Sequence, residues 1–490
     1  MTARSDVNLH PVIYVRGFAM RDAEIEETVN TPYMGFNTGS TRIRQQYDRS
    51  FLHYIFESPL IRLMKDYGYR DIYSDGEVIQ GRLAQKSVII YRYYEHPESG
   101  EGQRPGIEEA ASGLSHLIET VRRQVCGDDQ QALANFKVYL VAHSMGGLIC
   151  RCLLQNENAG SSLARSCVDK VFTYGTPHNG IEFAGMNVPR FLGLWDISNF
   201  NRKNIAAYLN MPVKNGKVNS LNGKFPPERF FCLVGTNPQD YNLVRLAAGQ
   251  ASDGLVKVEN AYVEGTPRVY CHLSHSGYYG MVNSQEGYQN LVRFLFGDYR
   301  VMLRMVPDVL PLSPAVRKAF EEKKTIRGSY LFECTVMPRE QLPIPLTDRR
   351  AEHASAVFRT YDELFHPERA GLKAPRYPVL GSIFLDSSRI QSGRTMVFTA
   401  DIGVRSTDFT IDGALFFKQR IPDENLYRGK MVLQITLNGE HWTIRYVESD
   451  ESWGELRGKT LSEDTQGCYI PLETRKGFKA RLYFDVSHWH

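Results

Sequence analysis

Short apolar runs alternate with helical patterns over the first three hundred residues. In residues 106–125 the apolar side chains recur at spacings of three and four, the pattern of one helix face: Ile107, Ala110, Ala111, Leu114, Leu117, Ile118, Val121 and Val125. Residues 287–297 carry a second helical pattern. Between and around them lie apolar runs typical of strands, at 11–15, 87–94, 138–142, 170–177, 229–236 and 268–275. This order predicts a mostly parallel sheet with helices on both faces.

The pattern changes near residue 298. Residues 301–324 include a proline-broken stretch, "VPDVLPLSP", and are predicted to be a linker. Residues 325–490 contain strand-like runs, and Asn438-Gly439 favours a two-residue hairpin turn. Folding there pairs mostly apolar side chains on one face: Leu437 with Glu440, Ile435 with Trp442, Leu433 with Ile444, and Met431 with Tyr446. We therefore expect an α/β domain at 1–300 and an antiparallel, sandwich-like β domain at 325–490.

Composition and charge give no support for several classes of protein. The 490 residues are 42% hydrophobic and carry a net charge of only +3, so the charge gives no reason to expect a nucleic-acid partner. No apolar run is long enough to span a bilayer, and the N-terminus lacks the pattern of a signal peptide. The eight cysteines are scattered, without metal-ligand spacing, and are interpreted as reduced thiols. A cytoplasmic protein is predicted. Signal-independent export and the oligomeric state stay open.

The segment "KVYLVAHSMGG" carries the strongest chemical signal. A buried strand ends at Ser144, with small residues two before and two after it, Ala142 and Gly146. A sharp strand-to-helix turn lifts a serine hydroxyl out of the sheet, and small neighbours let the backbones pass closely. Because strand neighbours point to opposite faces, His143 is expected to face away from Ser144. Ser144 is therefore the predicted nucleophile.

A nucleophilic serine needs a base, and the predicted base is His275. It follows the last strand run and precedes the closing helix, so it can return to Ser144. His178, in "GTPHNG", is the second candidate. His272 lies inside the strand run and is expected to pack or face away.

An orienting carboxylate should lie between the serine and the histidine in sequence. Asp253, in "ASDGLVKVEN", is the predicted residue, and Asp240 is its rival after the same strand. The oxyanion would be held by two backbone N–H groups. These are predicted at Met145, at the start of a helix, and at Phe18, after Gly17 in "VRGF".

Five motifs together resemble the α/β-hydrolase superfamily, and in particular lipases and esterases of the triacylglycerol-lipase and PGAP1-like kind. They are "PVIYVRGF", "LVAHSMGG", "YGTPHNG", "SDGLV" and "LSHSGYYG", and the resemblance covers about residues 8–297. The sequence departs from the usual pattern at Ala142, where glycine is usual, and at Arg16, where these lipases have histidine. Residues 19–86 and the C-terminal part match no pattern in that family.

The resemblance implies a serine carboxylic-ester hydrolase, a lipase or esterase that forms an acyl-enzyme on lipid-like or other apolar esters. It also implies a cap or lid at about 181–228 that contains Trp195. Trp195 and His178, which precedes the cap near the top of the sheet, are the predicted substrate contacts. No cofactor and no metal site are predicted, and calcium dependence stays open. A phospholipase acting at membrane surfaces is the alternative. Thioesterase or acyltransferase chemistry would use the same triad, and a catalytically silent binding scaffold is the alternative of another class.

Overall fold

The computed structural model describes these residues: 9–17, 40–45, 51–56, 59–74, 77–78, 81–94, 105–181, 200–238, 251–276, 280–322, 324, 326–339, 344–390, 394–412, 418–438, 441–448 and 458–489. The chain divides into two compact units. The first comprises Met1–Arg268 and His272–Phe296, and the second comprises Val269–Cys271 and Gly297–His490.

The N-terminal region contains the elements that the alternating pattern predicts. Its strands are β1 Val12–Val15, β2 Ser40–Gln45, β3 Phe51–Phe56, β4 Arg70–Asp71, β5 Tyr73–Ser74, β6 Glu77–Val78, β7 Ser87–Ile90, β8 Val138–His143, β9 Val168–Tyr174, β10 Phe230–Gly235 and β11 Arg268–Cys271. Its helices are α1 Pro59–Tyr67, α2 Ile107–Cys126, α3 Gln130–Asn135, α4 Met145–Gln155, α5 Ser162–Cys167, α6 Arg202–Tyr208 and α7 Gln285–Phe296, with short 3₁₀ turns at Pro227–Arg229 and Val258–Asn260.

Seven of these strands form one sheet in the order β11-β10-β9-β8-β1-β7-β4. The pairs from β10 through β9, β8, β1 and β7 to β4 are parallel. Strands β1, β8 and β10 are apolar and buried except at His143, the last residue of β8, as expected for a sheet covered on both faces. This confirms the predicted α/β-hydrolase-like sheet. Parallel strands end at the same edge, so the loop after β1 lies beside the end of β8.

The C-terminal region is built almost entirely of strands. They are β12 Tyr299–Val309, β13 Ile326–Arg327, β14 Ser329–Pro338, β15 Thr347–Arg349, β16 Val357–Thr360, β17 Val379–Leu385, β18 Thr395–Ser406, β19 Phe409–Asp412, β20 Lys418–Ile421, β21 Asn425–Asn438, β22 His441–Glu448, β23 Lys459–Thr460, β24 Ser462–Asp464, β25 Gly467–Glu473 and β26 Lys479–His488. Two short helices, α8 Pro314–Glu321 and α9 Tyr361–Phe365, and a 3₁₀ turn at Ser387–Arg389 complete the region.

Two antiparallel sheets dominate this second unit. One has the order β17-β12-β26-β25-β24, and the other has the order β15-β14-β18-β21-β22-β23 with β16 paired to β14. Alternate residues of both sheets enter one apolar cluster, for example Val301 and Leu303 from β12 and Phe332 and Cys334 from β14. The antiparallel, β-rich C-terminal part is thus confirmed.

The stretch predicted as a linker, 301–324, is structured differently. Most of it belongs to β12 and α8, and β12 pairs with both β17 and β26. Val301, Leu303 and Met305 alternate with polar or less buried positions and enter the core. Pro307 near the end of the strand hid this period-two pattern, although proline is tolerated there.

The predicted β21–β22 hairpin is present, but each β21 residue pairs with a β22 residue two positions further along the chain than predicted. Leu437 pairs with Trp442, Ile435 with Ile444, and Leu433 with Tyr446. The same face stays buried because side chains alternate with a period of two. This register pairs Leu437 with an aromatic ring instead of with Glu440, so these three inward pairs are all apolar. Residues 439–440 lie outside the described part of the chain.

Two findings bear on the class of protein. Among the described residues, no helix combines the length and the apolar character needed to cross a membrane. All eight cysteines lie in the described residues, none of them is in a disulfide, and seven are buried.

Lys170 on β9 is a buried cation at the end of the sheet opposite Ser144. Only 2% of the residue is exposed, and its ammonium donates to the Leu295 carbonyl at 2.9 Å, in the last turn of α7. Burial lowers the pKa of Lys170 to about 7. The folded protein therefore loses this proton at a lower pH than the unfolded chain does.

We expect Lys170→Met to remove a pH dependence of stability. Between pH 7 and about pH 10.5 the unfolded wild type binds a proton that the folded state has released. The unfolding free energy of the wild type should therefore rise with pH relative to that of K170M, by up to about 1.4 kcal/mol per pH unit. Urea unfolding at several pH values measures this difference. Lys137→Met is the control, since this exposed lysine also donates to a carbonyl, that of Ser166. Parallel curves for wild type and K170M over this range would contradict the expectation.

Candidate active site

Ser144 lies in a strained turn between β8 and α4. Its φ is 53°, in the left-handed region that residues other than glycine seldom adopt. The turn is held by the Ser144 N–H, which donates to the Tyr174 carbonyl at 2.9 Å, and by the Gly147 N–H, which donates to the Ser144 carbonyl at 3.1 Å. The backbone thus presents the serine at the carboxyl edge of the sheet and at the start of a helix.

Glycine is required where the loop after β1 passes this turn. A Cβ on Gly17 would lie 2.6 Å from the Ser144 Cβ, and a Cβ on Gly146 would lie 2.2 Å from the Val15 carbonyl oxygen. Real Cβ atoms do not approach so closely, so a side chain at either position would push β1 away from the turn. The spacing of small residues in the sequence therefore has a steric cause.

The structure brings Ser144, His275 and Asp253 into one hydrogen-bonded chain. His275 Nε2 lies 2.9 Å from Ser144 Oγ, and His275 Nδ1 lies 2.8 Å from Asp253 Oδ2. The exposed fractions are 7% for Ser144, 3% for His275 and 0% for Asp253. Since an ionised carboxylate only accepts hydrogen bonds, Nδ1 carries the proton and Nε2 is free to accept the serine proton.

The Asp253 carboxylate is fixed by its own loop. Oδ1 accepts hydrogen bonds from the N–H groups of Leu255 at 3.0 Å and Val256 at 2.7 Å, which leaves Oδ2 for His275. The His275 N–H in turn donates to the Asp253 carbonyl at 2.9 Å. A buried carboxylate with all these donors is compensated for the water it has lost.

One of the two predicted oxyanion donors lies in the described residues. Met145 is the first residue of α4, where N–H groups have no partner within the helix, and it directly follows Ser144. Phe18 and its N–H group lie outside the described residues. The loop before it is held by two tyrosine hydroxyls: Tyr93 donates to the Arg16 carbonyl at 2.8 Å, and Tyr94 donates to the Gly17 carbonyl at 2.7 Å. The "RYY" motif after β7 was not recognised as functional in the sequence.

His178 is placed among structural partners. It is fully buried, its Nε2 lies 3.2 Å from Thr173 Oγ1, and its carbonyl accepts from the Arg151 guanidinium at 2.8 Å. Burial lowers the pKa of His178 well below its usual value, so the ring is neutral. The substrate contact proposed for it remains a prediction. Trp195 and Asp240 lie outside the described residues, and His272 is exposed, with Nδ1 3.3 Å from Thr236 Oγ1.

The strand pattern predicted that His143 faces away from the site, and this prediction is wrong. Its ring centroid lies 4.9 Å from that of His275, and its Nε2 lies 2.9 Å from the His275 carbonyl oxygen. Alternation of side chains holds only while the backbone is extended, and the positive φ of Ser144 ends it one residue later. Both residues can therefore reach the same histidine.

A protein-family model matches part of the α/β region. The model of a family described as a PGAP1-like alpha/beta domain matches residues 106–188, which contain Ser144 and His178. This confirms the resemblance over that segment. No curated protein matches the chain by sequence.

Several solved structures of hydrolases resemble the chain at low identity. The lipase BlEst2 of Bacillus licheniformis is 13% identical and has a TM-score of 0.33, over 59% of this chain and 94% of that one. The phospholipase PlaB of Legionella pneumophila is 12% identical and has a TM-score of 0.35, over 80% of this chain and 86% of that one. A cutinase-like protein from a Cryptococcus species is 14% identical and has a TM-score of 0.23, over 59% and 95%.

Proposed function

We propose that the protein is a serine carboxylic-ester hydrolase with Ser144, His275 and Asp253 as its catalytic triad. The observation that supports this most directly is the continuous chain from Ser144 Oγ through both ring nitrogens of His275 to Asp253 Oδ2. A serine is a poor nucleophile unless a base takes its proton, and this base is held in the required tautomer by a buried carboxylate.

The proposed reaction has two halves. Ser144 Oγ attacks the ester carbonyl carbon while His275 Nε2 takes the hydroxyl proton, and the imidazolium then gives that proton to the departing alkoxide. Water attacks the resulting acyl-enzyme with His275 again as base, which releases the acid and restores the serine. Asp253 stabilises the imidazolium in both halves.

Developing negative charge on the carbonyl oxygen needs N–H donors. The Met145 N–H at the start of α4 is proposed as one donor, where the helix dipole also favours an anion. The Phe18 N–H is proposed as the second donor. The bonds from Tyr93 and Tyr94 to the preceding carbonyls support a fixed loop at this point.

The proposed substrates are lipid-like or other apolar esters. This part of the proposal rests on the sequence "FAGMNVPRFLGLWDISNF" in the predicted cap, which is dense in large apolar side chains, including Trp195. Hydrolysis of p-nitrophenyl esters of increasing chain length, triglycerides and phospholipids would define the class.

A fluorophosphonate probe tests the chemistry independently of the substrate. We expect the wild type to be labelled at Ser144, as located by peptide mass spectrometry, and Ser144→Ala to remain unlabelled. Ser166→Ala is the matched control, since this serine is exposed and its hydroxyl donates to the Leu163 carbonyl of its own helix, and it should label like the wild type. Absence of labelling in folded wild type would favour the silent binding scaffold.

A further inference from the structure

We propose that His143 is a positioning residue that holds the backbone of His275, so that the imidazole of His275 stays aligned between Ser144 and Asp253. The inference rests on the proposed function and extends it by one residue outside the triad. His143 is the last residue of β8, directly before the nucleophile, and its Nε2 lies 2.9 Å from the His275 carbonyl oxygen.

The direction of this hydrogen bond follows from its partners. A carbonyl oxygen only accepts, so Nε2 of His143 must carry the proton. Burial lowers the pKa of His143 to about 3, and the positive charge of Arg16 acts in the same direction. His143 is therefore a neutral ring with one N–H group, and that group points at His275. Its other nitrogen, Nδ1, lies toward Gly17, since a Cβ on that glycine would be 3.3 Å away.

The backbone N–H group and the backbone carbonyl of His275 both form hydrogen bonds. Its N–H donates to the Asp253 carbonyl at 2.9 Å, and its carbonyl accepts from His143. One bond goes to the residue that supplies the carboxylate, and the other goes to the neighbour of the nucleophile. The backbone of His275 is thus joined to Asp253, which its side chain must reach, and to the residue directly before Ser144.

The neutrality of His143 also suits the proposed reaction. The two imidazole rings are 4.9 Å apart, and His275 becomes positively charged when it takes the serine proton. A second positive charge at that distance would oppose this step, since like charges disfavour each other's charged form. A neutral donor can hold the backbone without this penalty.

Two substitutions separate the hydrogen bond from the packing of the ring. His143→Phe keeps an aromatic ring beside His275 and removes the donor, whereas His143→Gln can supply an N–H group near the position of Nε2. We expect kcat of H143F on p-nitrophenyl butyrate to fall between about tenfold and a hundredfold with KM within twofold of wild type, because small misplacements of a catalytic group have effects of this size. H143Q should recover most of the lost kcat. His116→Phe, at an exposed histidine on α2, is the matched control.

A kcat for H143F within twofold of wild type would overturn the inference, and so would an H143Q variant as slow as H143F. If H143F does not fold, as judged by its thermal melt, H143Q alone decides: near-normal kcat supports the positioning role, and a loss equal to that expected for H143F contradicts it.

A readout without turnover separates this inference from the proposed function. The low-field proton resonance of the His275 Nδ1–H group, bonded to Asp253, reports the alignment of the ring even if no ester is hydrolysed. We expect it to be broadened or lost in H143F and retained in H143Q and H116F. An inactive wild type with this pattern would refute the ester-hydrolase proposal alone. An unchanged resonance in H143F would refute the role of His143.

Discussion

Replacing Ser144 with alanine is expected to abolish ester hydrolysis while the protein stays folded. The only atom removed is Oγ, which lies 2.9 Å from His275 Nε2 and is the proposed nucleophile. Loss of a triad member typically lowers kcat by about 10⁴-fold or more. Alanine fits the space of serine, so the turn should persist. Hydrolysis of p-nitrophenyl butyrate and a thermal melt of the same preparation measure the two parts of this expectation.

The control for this experiment is Ser166→Ala, a serine of the surface helix α5, which should keep wild-type kcat. A Ser144→Ala protein with kcat within tenfold of the wild type would remove Ser144 from the proposed mechanism. The fluorophosphonate probe reports the reactivity of the same oxygen without an ester substrate. A wild type that is labelled at Ser144 but does not hydrolyse p-nitrophenyl butyrate would therefore indicate that the wrong ester was chosen.

The parallel sheet and its serine turn could be predicted because local sequence determines both. Strands buried on both faces are continuous apolar runs, as in "VYLVA", and a turn that brings backbones together needs small residues at fixed spacing. The close approaches of Gly17 and Gly146 to neighbouring atoms show why substitution there is costly. These constraints act over a few residues and are visible in a single sequence.

Features that depend on distant pairing were harder to predict. Strand β12 was interpreted as part of a linker because the prolines of "VPDVLPLSP" outweighed the alternation of Val301, Leu303 and Met305, although β12 pairs with strands some eighty and one hundred and eighty residues later. The Asn438-Gly439 pair alone also did not specify the β21–β22 register, in which Leu437 pairs with Trp442.

His143 shows that the alternation of side chains along a strand does not predict orientations at the turn that follows the strand. Alternation placed its side chain away from Ser144, yet one strained φ lets both residues contact His275. Tyr93 and Tyr94 were missed for a different reason: their hydroxyls bond to backbone carbonyls of a loop more than seventy residues earlier. Neither relation leaves a pattern in nearby sequence.

Replacing Asp253 with asparagine is expected to lower kcat by about 10⁴-fold with little change in KM or in thermal stability. Asparagine keeps an Oδ1 that can accept from the N–H groups of Leu255 and Val256, so the loop should retain its fold. Its amide N–H₂ would then face His275 Nδ1 in place of Oδ2. This donor would force Nδ1 to accept and would move the ring proton to Nε2, where it blocks transfer of the serine proton.

Asp240→Asn is the comparison that decides between the two carboxylates considered from the sequence, and it should keep kcat within a few-fold of wild type. The D253N protein should also react slowly with the fluorophosphonate probe, because Ser144 loses its base. A larger loss of kcat in D240N than in D253N would transfer the orienting role to Asp240. The 2.8 Å hydrogen bond between Asp253 Oδ2 and His275 Nδ1 would then contribute to the fold and not to catalysis. A small loss in both variants would mean that His275 keeps its tautomer and orientation without either carboxylate.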